Sequence, residues 1–169
     1  ARAILADLAS ALDYAHERGF IHRDIKPSNV MLTRDQTSAR VVLMDFGIAK
    51  IQDGRTSITG SGAIGTIDYM APEQIMEARE VDHRADIYAL GVMLYEMLTG
   101  ELPFKGSPGQ MLFAHLQQPP PDPRILLPEL PRSVAYAMTR ALSKDPDARF
   151  QSAGEFVRAL SEIPAASAA

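Results

Sequence analysis

The 169-residue chain contains no cysteine. Disulfides, thiolate metal sites and a cysteine nucleophile are thereby excluded, and a reducing compartment such as the cytosol is the simplest setting. It also lacks a basic excess, with a net charge of -4 and a pI near 5.5. Proteins that bind phosphate backbones concentrate Lys and Arg to displace counterions, so nucleic acid is not an expected partner. Long hydrophobic runs are missing too. The most apolar stretch, Ile87 to Leu98, contains Glu96 and follows Asp82, Arg84 and Asp86, far short of the roughly 20 apolar residues that span a bilayer. No membrane segment is expected in this chain. No charged leader with an apolar segment and cleavage site opens it. Ala1 enters directly into helix-forming sequence and reads as a cut start. The histidines at 16, 22, 83 and 115 lack the i, i+3 or i, i+4 pairing of helical metal sites, so no zinc site is expected.

What is present suits one globular domain, with 46% hydrophobic residues. Ile4, Leu5, Leu8, Ala11, Leu12 and Ala15 recur at helical spacing before Gly19, predicting an amphipathic helix over 2–18. Val30–Leu32 and Val41–Met44 flank a polar turn and predict a small β-hairpin. Residues 52–65 are polar, Gly-rich and loaded with hydroxyls, and read as a long mobile loop. Residues 83–99, apolar on nearly every face and stopped by Gly100, predict a central buried helix. Between Gln118 and Pro131 repeated prolines remove backbone donors and predict an extended connection rather than a helix. Pro120-Pro121-Asp122-Pro123 fits a PxxP pattern, but the pattern is short, and a plain connecting loop is the simpler reading. Residues 132–142 and 152–162 predict two further helices, before an Ala-rich tail over 163–169 that is expected to fray.

Chemistry concentrates in an ordered set of motifs. His22-Arg23-Asp24-Ile25-Lys26-Pro27-Ser28-Asn29 is followed sixteen residues later by Asp45-Phe46-Gly47, then by Gly65-Thr66 and Ala71-Pro72-Glu73. Singly, an Asp or Asn in such a place is most simply a turn or cap residue; four matches in order are not. The chain resembles the protein-kinase family in its catalytic loop, metal-binding motif, activation segment and segment terminus. The implied fold is mainly α with a small β-hairpin, a kinase C-terminal lobe occupying residues 1–162. The Asp-x-Lys-x-x-Asn form and Thr66 resemble serine/threonine rather than tyrosine kinases. Asp45-Phe46-Gly47-Ile48-Ala49-Lys50 and Ala71-Pro72-Glu73-Gln74 resemble the bacterial ones.

The resemblance assigns roles residue by residue. ATP and Mg²⁺ are the implied cofactors, and protein Ser/Thr hydroxyls the implied acceptors. Asp24 would orient the substrate hydroxyl and accept its proton, and Lys26 would contact the γ-phosphate. Asn29 and Asp45 would offer the oxygen ligands that hard Mg²⁺ prefers. Met31 would floor the adenine pocket, and Thr66 would join the catalytic set. Arg23, a cation directly before Asp24, could pair with a phosphorylated loop hydroxyl, for which Thr59 and Ser61 are the foremost choices ahead of Thr56 and Ser57. His22 and Phe46 would pack beneath the site. Asp86 would bond the catalytic-loop backbone, and Glu73 would pair with the distant Arg149.

The family's smaller lobe supplies a Gly-rich loop, a strand Lys and the Glu that positions it. None of these precedes Ala1, so the fragment alone is expected to be inactive, with that lobe as its missing partner in cis. The alternative reading is a truncated, non-catalytic module that docks substrates. Against it, such a module has no chemical need for Asp24, Asn29 and Asp45 together. Many bacterial serine/threonine kinases continue into a membrane anchor and sensor domain, which leaves an anchored parent with a cytosolic kinase domain as a second expectation for location.

Overall fold

A computed structural model describes residues 2–34, 39–45, 67–76 and 81–160. Helix α1 (Arg2–His16) buries Leu5, Leu8, Leu12 and Ala15. It ends where Gly19 takes a left-handed φ of 77°. The Phe20 amide reaches back to the Ala15 carbonyl at 3.0 Å, and that of Gly19 to His16 at 2.9 Å, the paired bonds of a Schellman terminus. The chain is thereby turned into the 20–26 segment.

A one-turn 3₁₀ helix, Pro27–Asn29, leads into β1 (Val30–Arg34), which pairs antiparallel with β2 (Ala39–Leu43). Val30 faces Leu43 and Met31 faces Val42. The hairpin is longer than its apolar residues alone suggest, because Thr33 and Arg34 extend the pairing on one side and Ala39 and Arg40 on the other.

A short helix α2 (Pro72–Ile75) precedes α3 (Arg84–Thr99), the centre of the molecule. Every residue from Ala85 to Tyr95 is buried, and Gly100, at φ 74°, closes the helix with its amide on the Glu96 carbonyl at 2.8 Å. Gly91 lets α3 approach α5 (Arg132–Ala141), since a Cβ there would stand 3.0 Å from that of Ala141. One core joins α1, α3, α5 and α6 (Ala153–Ala159) around Leu8, Leu12, Tyr88, Leu90, Met138 and Phe156. The carboxylate of Asp13, on α1, accepts the first amides of α6, from Ala153 at 2.8 Å and Gly154 at 2.9 Å. Those donors have no partner within their own helix.

Two elements depart from the sequence expectation. Helix α4 (Pro108–Gln117) occupies a stretch for which no helix was predicted. Within Gln118–Pro131 the prolines do not enforce an extended path throughout. Asp122 caps a 3₁₀ turn, Pro123–Ile125, by accepting the Arg124 amide at 2.9 Å, and Pro123 sits at the first position, where a missing N–H costs nothing. Among the described residues no helix is long and apolar enough to cross a membrane. The expected loop 52–65 and the tail 163–169 lie outside the described residues.

Candidate active site

The segment after α1 is held by Asp86, in the first turn of α3. Its Oδ2 accepts the His22 amide at 2.9 Å and its Oδ1 the Arg23 amide at 2.7 Å, while His16 Nε2 meets Oδ2 at 2.8 Å. Asp86 is 1% exposed, so these donors offset the cost of burying its charge. They also hold Arg23 at φ 65°, a left-handed conformation costing a non-glycine residue roughly 1–2 kcal/mol. Gln74 adds a clamp from α2, its Nε2 donating to the Arg23 carbonyl at 2.9 Å while its Oε1 accepts the Ala71 amide at 3.0 Å.

His22 is fully buried. Its Nδ1 accepts the Asp24 amide at 3.3 Å, so Nε2 carries the proton it donates to the Met44 carbonyl at 2.9 Å. The ring thus links the Asp24 segment to the end of β2. There the Met44 amide bonds the Asn29 carbonyl at 2.8 Å, continuing the hairpin pairing by one step and setting Asp45 next to Asn29 along the chain path. Asp45 has a left-handed φ of 55° and is exposed.

Three side chains converge. Asn29 Nδ2 donates to the Asp24 carbonyl at 2.8 Å and to its Oδ2 at 3.2 Å, and Lys26 Nζ lies 3.0 Å from the same carboxylate oxygen. Asp24, Lys26 and Asn29 therefore form one unit, with Asp45 adjoining it through the hairpin. With Nδ2 engaged, the Asn29 amide presents its oxygen as the group left for a ligand. Asn29 and Asp45 offer carboxylate and carbonyl oxygens, a donor set that fits Mg²⁺, which typically takes one or two protein oxygens and completes its shell with water and phosphate. Among the described residues no group of three His, Cys, Asp or Glu side chains could hold a metal by itself.

Met31 is 42% exposed on β1. An apolar groove of about 860 Å³ between α1 and β2, walled by Ala11, Tyr14, Phe20 and Val42, contains none of Asp24, Lys26, Asn29 or Asp45 and is not where the chemistry resides. Phe46, Thr59, Ser61 and Thr66 lie outside the described residues. Arg23 does not stand in open solvent: it is partly buried, one Nη donates to the Val81 carbonyl at 3.4 Å, and its Nε is buried with no partner among the described residues.

Beneath the site, Arg149 is fully buried and pairs with Glu73 through two parallel bonds of 2.7 and 2.8 Å. Its remaining N–H groups donate to the carbonyls of Ser143, Arg84 and Lys144 at 2.7, 3.0 and 3.1 Å. All five guanidinium donors are used.

His16 and Gln74 are the residues that sequence reading missed. For Gln74 the signal was its place three residues after Ala71, the residue that caps α2, where a Gln reaches back to the cap. For His16 there was none, since its partner is 70 positions away.

This arrangement, a helical lobe with one β-hairpin, is that of the C-terminal lobe of a kinase fold. The protein kinase domain model matches residues 1–158, and the chain belongs to that family. Among curated proteins it is 45% identical over 161 residues to the serine/threonine-protein kinase Pkn1 of Myxococcus xanthus, covering 93% of this chain and 23% of Pkn1. It is 44% identical to PknJ of Mycobacterium tuberculosis, covering 92% of this chain and 27% of PknJ. The chain thus spans about a quarter of these relatives' length. The crystal structure of the Mycobacterium tuberculosis PknI kinase domain superposes with a TM-score of 0.71 at 37% identity, over 95% of this chain and 54% of that one.

Proposed function

We propose that the protein to which this chain belongs transfers the γ-phosphoryl group of ATP to Ser or Thr hydroxyls of protein substrates. The observation that carries the reading is the Asp24–Lys26–Asn29 unit, a carboxylate held between a cation and an amide at the end of a rigidly clamped segment. Asp24 orients the acceptor hydroxyl and takes its proton. The strained backbone at Arg23, fixed by Asp86, aims that carboxylate. Lys26 stands where it can offset charge on the transferred group, and Asn29 and Asp45 would hold Mg²⁺. A bound Mg²⁺ supplies charge neutralisation on the phosphates, the dominant need of phosphoryl transfer.

On the same reading Met31 floors the adenine site and Thr66 lies beside the acceptor. The buried Nε of Arg23, without a partner among the described residues, suits a phosphate on Thr59 or Ser61, which would satisfy it. On this reading the catalytic lobe acts with a smaller lobe in cis, in a kinase domain that works in the cytosol.

The test is ATP-dependent phosphorylation of a basic protein by the complete kinase, native and Asp24→Asn. Loss of about 10²-fold or more is expected, the scale of removing a general base. Undiminished transfer by Asp24→Asn would refute the assignment.

A further inference from the structure

Gln74 ties two segments of the candidate site together. Its Nε2 donates to the Arg23 carbonyl at 2.9 Å, while its Oε1 accepts the Ala71 amide at 3.0 Å. A carbonyl can only accept and an amide N–H only donate, so the two partners fix which way the Gln74 amide faces. The Arg23 carbonyl belongs to the peptide unit that leads into Asp24. The N–H of that same unit donates to His22 Nδ1 at the longer distance of 3.3 Å. One edge of the peptide is thus held from within its own segment and the other from α2. Rotation of this unit would swing the Asp24 side chain, and the Arg23 backbone beside it, at φ 65°, is in a conformation that a non-glycine residue tends to leave. Gln74 also lines one small recess with Asp24, Tyr69 and Met70, where the 67–76 segment meets the Asp24 segment. Capping of α2 accounts for the bond to Ala71. It does not account for the bond to Arg23, 51 positions away.

We propose that Gln74 is a positioning residue for phosphoryl transfer, holding through the Arg23 carbonyl the peptide unit that aims Asp24. The inference rests on the phosphotransfer reading given above. It gives α2 a part in that reading, because a displacement of α2 reaches Asp24 through one hydrogen bond. The two partners of Gln74 are Ala71 and Arg23, neither of them a group that would hold nucleotide or Mg²⁺. Loss of the bond should therefore slow transfer without weakening the grip on ATP.

Two substitutions in the complete kinase separate the two bonds. Gln74→Glu keeps an oxygen for the Ala71 amide, and Glu serves a capping box as well as Gln does. At about pH 8 its carboxylate is ionised and cannot donate to the Arg23 carbonyl. Gln74→Met keeps the length of the side chain and loses both bonds. Steady-state phosphorylation of a basic protein is measured for each, with Asp24→Asn as the reference and the melting temperature as the check on folding. Both Gln74 variants should lose kcat by about tenfold or more, the scale of a slightly misplaced catalytic group, with KM for ATP unchanged. A loss in Gln74→Met with none in Gln74→Glu would show that only the cap matters and would overturn the proposal, as would native kcat in both or a loss confined to KM for ATP. Should the added charge keep Gln74→Glu from folding, Gln74→Met decides alone: reduced kcat in a folded protein supports the proposal, and native kcat overturns it. Transfer that survives Asp24→Asn would instead overturn the phosphotransfer reading itself, and this inference with it.

Discussion

Acidification should strike at His115. The residue is fully buried, its Nδ1 accepts the Tyr88 hydroxyl at 2.9 Å, and the Phe104 ring stands edge-on at 5.0 Å. Its Nε2 is buried without a well-formed hydrogen bond, with only a weak backbone interaction at Asp68 favouring the charged ring. Burial first, then the Lys144 cation, lowers the pKa from 6.5 to about 4. Below pH 6.5 the unfolded chain therefore binds a proton that the folded chain refuses. Stability is whole above the unfolded value and is lost as pH falls toward the folded one. That single group should remove about 2 kcal/mol by pH 5 and about 3 kcal/mol by pH 4. Carboxylates held low in the fold, such as Asp82 beside Arg84, add acid sensitivity at lower pH. The measurement is therefore a difference: urea unfolding of the native protein and of His115→Phe at pH 7 and pH 5. His115→Phe is less stable at pH 7, because Tyr88 loses its acceptor, but its further loss on going to pH 5 should be smaller than that of the native protein by about 2 kcal/mol. Equal losses in the two proteins would show that His115 takes up its proton freely and would refute the reasoning.

Arg149→Ala leaves Glu73 buried without a partner, together with three orphaned carbonyls. It should cost on the order of 3–5 kcal/mol, read as a large drop in melting temperature; an unchanged melting point would sink the idea. Gly91→Leu forces a side chain against Ala141 and Leu142, which a Cβ alone would approach to 3.0 and 3.4 Å. The expected loss is roughly 1–3 kcal/mol, and a urea midpoint equal to the native value would show that α3 and α5 are free to separate.

Much of the candidate site was legible because its residues carry local signatures. Asp24, Lys26 and Asn29 lie within six positions of one another, so their order in the chain nearly fixes their meeting in space. Gly19 and Gly100 marked helix ends because only a left-handed residue closes such termini cheaply. Helix α4 was missed although its own start was written in the chain: Ser107, Pro108 and Gln110 form a capping sequence, and the Gln110 oxygen does accept the Ser107 amide at 2.8 Å. The 3₁₀ turn at Pro123 was hidden by treating every proline as a helix breaker, when the first helical position tolerates one.

The contacts that escaped are those whose partners are far apart in sequence. His16 and Asp86, Tyr88 and His115, and Lys144 and Ala114 are separated by 70, 27 and 30 positions. No periodicity in the chain encodes them; they follow from how α1, α4 and the turn after α5 lie against α3. Asp86 shows why such contacts matter to function. A backbone at φ 65° on a non-glycine residue is uphill, and the local sequence around Arg23 offers only the long bond from the Asp24 amide to His22 Nδ1, 3.3 Å, to hold it there. The bonds from Asp86 to the His22 and Arg23 amides, worth about 1.5–3 kcal/mol each as bonds to a charged group, exceed that cost. The geometry of the segment carrying Asp24 is therefore set by α3, more than sixty residues away, and rigidity in that helix is a condition for the position of the Asp24 carboxylate.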